Sequence, residues 1–152
     1  MTDADVLFTA HREGIFRYLC RIVGREDARE LTQEVFLRVT RTTVPQTDEG
    51  GRRAWLFCIA RNLALNHVRD DRRRGETAET AGDPAFPPTQ ALAVALREAL
   101  DLLNPVDRDV FLMREVGGLS YSEISFACQL TPDAVRSRLH RARQELRRAL
   151  SR

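Results

Sequence analysis

Apolar residues along this 152-residue chain recur every three or four positions, the period of an amphipathic helix, and strand-type alternation is scarce. The spacing predicts a first helix over about Asp5 to Val23, with Phe8, Ile15, Phe16, Leu19 and Ile22 at its apolar positions and Gly24 ending it. A second runs from about Asp27 to Arg41 with Leu31, Val35 and Val39 facing a core. Val44-Pro45 and Gly50-Gly51 bracket a loop, and a third long helix follows from about Arg53 to Arg72, its apolar face Leu56, Ile59, Ala60 and Leu63. Residues 75–90, GETAETAGDPAFPPTQ, hold three of the six prolines and little to bury, which reads as a flexible or extended linker. Helical spacing resumes near Ala91 with Leu92, Leu96, Ala99 and Leu103. Asn104-Pro105 then opens a helix over about Val106 to Val116, closed by Gly117-Gly118.

The last third carries the sharpest signals. Ser120 and Glu123 have capping-box spacing, an apolar face follows at Ile124, Ala127 and Cys128, and Leu130 sits in the turn. Thr131-Pro132-Asp133 starts another helix with a capping hydroxyl, proline at the first position and an acid in the first turn. Val135, Leu139, Ala142, Leu146 and Leu150 form one narrow apolar stripe. Around it stand Arg136, Arg138, Arg141, Arg143, Arg147 and Arg148 against a single acid, Glu145. Two capped helices joined by a short turn, the second cationic, match a major-groove reader. The fold class expected is all-α: a helical domain over 1–74, a linker over 75–90, and a second helical domain with a helix-turn-helix over 91–152.

Charge sharpens this picture. The formal net charge is only +2, yet residues 52–74 carry seven arginines against two acids and residues 136–152 seven against one, while the intervening stretches are acidic. Two basic blocks in acidic surroundings imply two anion-facing surfaces. All basic residues are arginine, which base composition of the genome explains as well as function does. Cys20, Cys58 and Cys128 lie far apart in apolar contexts, as reduced core thiols do. No signal peptide and no membrane-length apolar run is visible, so a cytoplasmic protein without membrane insertion is expected.

Three constellations could carry function. Glu30, Gln33, Glu34 and Leu37 share one face of the second helix, a docking stripe for a basic partner or an ordinary solvated face. On the third helix Trp55, Asn62, Asn66, Arg69 and Arg73 project to one side. Asparagine amides complement base edges, arginines hold phosphates, and tryptophan buttresses an unstacked base; packing roles for Asn and Trp are the alternative. In the last helix Thr131, Arg136, Ser137 and Arg138 occupy the end that meets base edges, with Arg141 and Arg143 placed for phosphates. Such a helix could also bind a membrane surface or an acidic protein. His11, His67 and His140 share no ligand spacing, and no nucleophile–base pair or phosphate-cradling glycine loop is present, so neither enzyme activity, metal nor cofactor is expected.

Taken together, DARELTQEVFLRV (27–39), RAWLFCIARNLALNHVR (53–69) and LNPVDRDVFLMREVGGLSYSEISFACQLTPDAVRSRLHRARQEL (103–146) resemble the extracytoplasmic-function (ECF) sigma factors, the small two-domain bacterial transcription initiation factors. The resemblance implies sigma domain two in the first two blocks and sigma domain four in the third. It implies core RNA polymerase as partner, through the β′ clamp helices gripped by Glu30, Gln33, Glu34 and Leu37 and through the β flap. Trp55, Asn62, Asn66, Arg69 and Arg73 would then open and read the minus-ten element, and Thr131, Arg136, Ser137, Arg138, Arg141 and Arg143 the minus-thirty-five element of promoter DNA. An anti-sigma factor as controlling partner is implied too. The chain departs from the family at Thr40, where an aromatic is frequent, and at Asn66, often an acid. Gln129 replaces a turn glycine and Ala134 a phosphate-contacting threonine. A stand-alone helix-turn-helix regulator, or a helical adaptor for acidic proteins, are the other readings of the same charges.

Overall fold

The computed structural model describes residues 2–74 and 90–151. The linker expected over 75–90 lies outside the described residues, apart from Gln90, which already opens a helix. In chain order the elements are α1 (Asp3–Val23), α2 (Arg25–Arg41), α3 (Glu49–Arg74), α4 (Gln90–Leu102), α5 (Pro105–Glu115), α6 (Tyr121–Cys128) and α7 (Pro132–Leu150). No strand occurs among the described residues, so the all-α expectation holds.

Local chemistry sets the helix ends. Thr2 and Asp5 form a reciprocal capping box, which starts α1 two residues earlier than its apolar pattern does. Gly24, at φ 88° and ψ 165°, closes α1 and opens α2 in one step, a backbone state that a side chain would disfavour. Gly50 and Gly51, expected in a loop, lie instead in the first turn of α3. The Asp48 carboxylate accepts from the Gly51 N–H at 2.7 Å, and a Cβ at Gly51 would fall 2.5 Å from Thr47 Oγ1, so glycine here serves close packing. Asn104 caps α5 through Val106 N–H, with Pro105 in its first turn. The expected capping box of Ser120 and Glu123 starts α6, and Thr131 with Pro132 starts α7. Between them Gln129 takes the left-handed conformation at φ 55°, the geometry that the turn needs and glycine more often supplies.

Helices α1, α2 and α3 pack on one another, as do α4 to α7, and the two groups meet where α3 lies along α6 and α1 touches α5. Buried side chains from both groups therefore form one continuous apolar cluster. Its bridging member is Phe57, 1% exposed, which stands edge-on to Tyr18 at 5.5 Å between ring centroids. Phe57 fits because position 117 is glycine: a Cβ there would lie 2.9 Å from both the Phe57 ring and the Met113 carbonyl oxygen.

Candidate polymerase and nucleic-acid interfaces

The acidic stripe of α2 stands free of the core. Glu30 and Gln33 are exposed, Glu34 is half-buried and pairs with Arg38 at 3.3 Å, and Leu37 is 47% exposed. Val35 and Val39 point the other way and are buried. The stripe thus presents acid, amide and one exposed leucine side by side on the solvent face of α2.

On α3, Asn62, Asn66, Arg69 and Arg73 are exposed along one side, whereas Trp55 is half-buried. Trp55 lines the cleft between α3 and α6 together with Pro45, Gly51, Ser122 and Phe126. Arg69 lies with Arg61, Arg72 and Arg108 around a second cleft of about 280 Å³ between α3 and α5. Of this side of α3, Trp55 and Arg69 thus border clefts against the second helical group, while Asn62, Asn66 and Arg73 face outward.

On α7, Arg136 and Ser137 are exposed at the capped end, Arg136 pairing with Asp133 at 3.0 Å. The exposed Thr131 spends its hydroxyl on the cap, accepting from Ala134 N–H at 3.1 Å. Arg138 differs from expectation: it donates to Asp107 Oδ1 at 2.9 Å, and Arg141 lies 3.3 Å from the other oxygen of that buried carboxylate. Arg143 pairs with Glu115 at 2.8 Å. The arginine face of α7 is therefore divided, with Arg136 turned outward and Arg138 tied to α5.

Sequence reasoning passed over the polar contacts that join the two groups. Asp109 of α5 accepts from Tyr18 Oη of α1 at 3.1 Å and from Arg61 Nε of α3 at 3.0 Å. Burial pushes the Asp109 carboxyl up, and Arg61 and Tyr18 pull it only part of the way back. Arg53 of α3 grips Glu123 of α6 with both Nε and Nη2, the latter at 2.7 Å. Burial alone would raise Glu123, but the hydrogen bonds from Arg53 and Ser120 outweigh it and hold this carboxyl below its usual range. Two acids, Asp107 and Asp109, amid the apolar positions of α5 were the available signal, since a carboxylate on a buried face calls for a cation. All three cysteines are free, and burial pushes the Cys128 thiol up to about 12, in keeping with a reduced core residue.

Comparison with known proteins follows the same division. Residues 7–74 match the family model for sigma-70 region 2, and residues 93–146 that for sigma-70 region 4. The ECF RNA polymerase sigma factor SigE of Mycolicibacterium smegmatis is 36% identical over 161 residues, which cover 97% of this chain and 61% of the relative. The RNA polymerase sigma factor CarQ of Myxococcus xanthus is 32% identical, covering 95% of this chain and 87% of its own length. The chain spans 61% of SigE and 52% of the probable ECF sigma factor SigI of Mycobacterium tuberculosis. Among solved structures, the sigma factor RpoE in complex with the anti-sigma factor NepR from Bartonella quintana superposes with a TM-score of 0.81 at 21% identity, over 99% of this chain and 98% of that one. CnrH in complex with the cytosolic domain of CnrY gives 0.72 at 22% identity, over 97% and 87%. No helix among the described residues is long and apolar enough to cross a membrane. A two-region match in the right order, on a helical frame shared with solved sigma factors, places this chain in the ECF RNA polymerase sigma factor family.

Proposed function

We propose that this chain is an alternative sigma factor that binds core RNA polymerase and directs promoter recognition and DNA opening, acting in the cytoplasm without catalysing a reaction of its own. Residues 1–74 serve as sigma domain two and residues 91–152 as sigma domain four. The observation that carries this reading is one chain with three distinct faces: the exposed Glu30, Gln33, Glu34 and Leu37 stripe of α2, the Asn62, Asn66, Arg69 and Arg73 side of α3, and the outward Arg136 and Ser137 of α7. The first docks on the polymerase β′ clamp helices, the second captures melted minus-ten bases, and the third enters the major groove at minus thirty-five, while domain four meets the β flap. A duplex-binding repressor needs only the third face.

Dimensions add a requirement. Two elements about 25 base pairs apart are separated by roughly 85 Å of duplex at 3.4 Å per pair. A compact chain of this length is only roughly 40 Å across. The closed packing of α3 on α6 must therefore open on the polymerase, and the 15 residues between Arg74 and Gln90 allow up to about 50 Å of extra reach. An anti-sigma factor that stabilises the closed packing would hold the protein inactive. RpoE, structurally similar to this chain, was solved in complex with the anti-sigma factor NepR, and CnrH in complex with the cytosolic domain of CnrY.

Reconstituted transcription tests the proposal. Purified chain added to core polymerase should confer initiation at specific promoters selected from genomic fragments, and Asn66→Ala should impair opening more than duplex binding, as read by permanganate reactivity against a pre-melted template. Duplex binding with no co-purification of core polymerase would instead favour a stand-alone regulator.

A further inference from the structure

Three side chains away from these surfaces converge on one point between α2 and α3. Asp27 comes from the first turn of α2, and His67 and Asp71 stand one helical turn apart on α3. His67 Nε2 lies 2.8 Å from Asp27 Oδ2 and 3.2 Å from Asp71 Oδ2, and all three atoms fall within 4.8 Å of one another. An imidazole N–H points along one line and serves one acceptor well. Two carboxylates aimed at the same nitrogen, one of them on a residue only 7% exposed, call for a cation at their focus. A metal bound at 2.0–2.2 Å holds nitrogen and oxygen ligands about 3 to 3.4 Å apart; the His67–Asp71 spacing falls in that range, and the 2.8 Å His67–Asp27 contact would widen by a few tenths of an ångström to admit the ion.

We propose that Asp27, His67 and Asp71 form a site for a divalent transition-metal cation. One imidazole and two carboxylates, with no thiolate, is the ligand set of Zn²⁺, Mn²⁺ or Fe²⁺. Helix geometry presets His67 and Asp71 at i and i+4, so the packing of α2 on α3 supplies the third ligand and the site exists only in the folded protein. The half-exposed Asp27 leaves an entry path and room for water on the ion. A bound ion would brace α2, with its acidic stripe, against the part of α3 that carries Asn66 and Arg69. The site stands or falls independently of the promoter-reading role.

The full chain, stripped with chelator, should be titrated with Co²⁺ and followed by visible d–d absorption, with calorimetry of Zn²⁺ in parallel. One ion per chain is expected, with a rise in thermal midpoint. His67→Gln, Asp71→Asn and Asp27→Asn should each weaken Zn²⁺ by a hundredfold or more, since even loss of an outer-shell partner costs 10–100-fold. Asp27→Asn guards against misfolding, because that side chain is 40% exposed and its circular dichroism should match the parent. Absence of cobalt bands, or binding that survives Asp27→Asn and His67→Gln unchanged, would overturn the site and leave the cluster as a polar contact between α2 and α3.

Discussion

Removing Arg61 should expose how the closed packing is held. Its guanidinium lies 3.0 Å from Asp109, and their side chains are 17% and 6% exposed. In Arg61→Met the buried carboxylate keeps one hydrogen bond, from the Tyr18 hydroxyl, and the more distant charge of Arg108, and breaking such a pair costs about 3–5 kcal/mol. A second route gives a ceiling. Asp109 can escape by taking a proton, which at pH 7 costs about 1.36 × (7 − 3.9), or about 4.2 kcal/mol. The two figures agree, and the second carries a sign. With its folded pKa raised above the unfolded value, Asp109 contributes stability that is complete below the unfolded pKa and is lost as pH rises through the folded one. The Arg61→Met deficit should therefore shrink on acidification, to at most about 1.5 kcal/mol at pH 5 by the same relation. Arg61→Met/Asp109→Leu removes both charges and strands the buried Tyr18 hydroxyl, about 1–3 kcal/mol, a cost that Asp109→Leu alone already carries. The pair should thus couple by at least about 2 kcal/mol. Urea titration at both pH values measures this. Emission from Trp55, the single tryptophan, which lines the α3–α6 cleft, reports separation of the two groups. Additive single losses that do not change with pH would refute the reasoning.

Other expectations follow from the same geometry. Gly117→Ala sets a methyl 2.9 Å from a backbone carbonyl and from the Phe57 ring, so the α5–α6 turn must shift. A loss of about 1–3 kcal/mol, read by thermal unfolding, is expected from overpacking. Glu34→Arg reverses charge on the free face of α2 and should abolish co-purification with core polymerase while leaving the circular dichroism spectrum unchanged. Arg136→Ala should cost roughly 1–3 kcal/mol on the cognate promoter and relax specificity at one base, with stability intact, in a binding assay across single-base variants. Arg138→Ala should behave in the opposite way, lowering stability because Asp107 then depends on the exposed Arg141 alone.

Much of this molecule was legible in short stretches of chain. Capping residues act within a single turn, so Ser120 with Glu123 and Thr131 with Pro132 announced α6 and α7 before any contact was known. The stripe of α2 and the polar side of α3 were equally visible, because helical periodicity alone puts Glu30, Gln33, Glu34 and Leu37, or Asn62, Asn66 and Arg69, on common faces. Helix starts were less so: Gly50 and Gly51 read as breakers, yet Asp48 caps across them and the close approach of Thr47 gives glycine a packing purpose.

Local pattern, then, determined the helices, their register and the charge each surface displays, since these depend on neighbours three or four residues away. Only tertiary structure decided which charges are free and which are spent. Asp109 and Arg61 are 48 residues apart, Asp27 and His67 are 40, and Arg138 meets Asp107 across 31. Nothing in the intervening sequence encodes those meetings, because burial of the shared apolar cluster brings the partners together. A carboxylate removed from water then binds whichever cation packing has placed beside it.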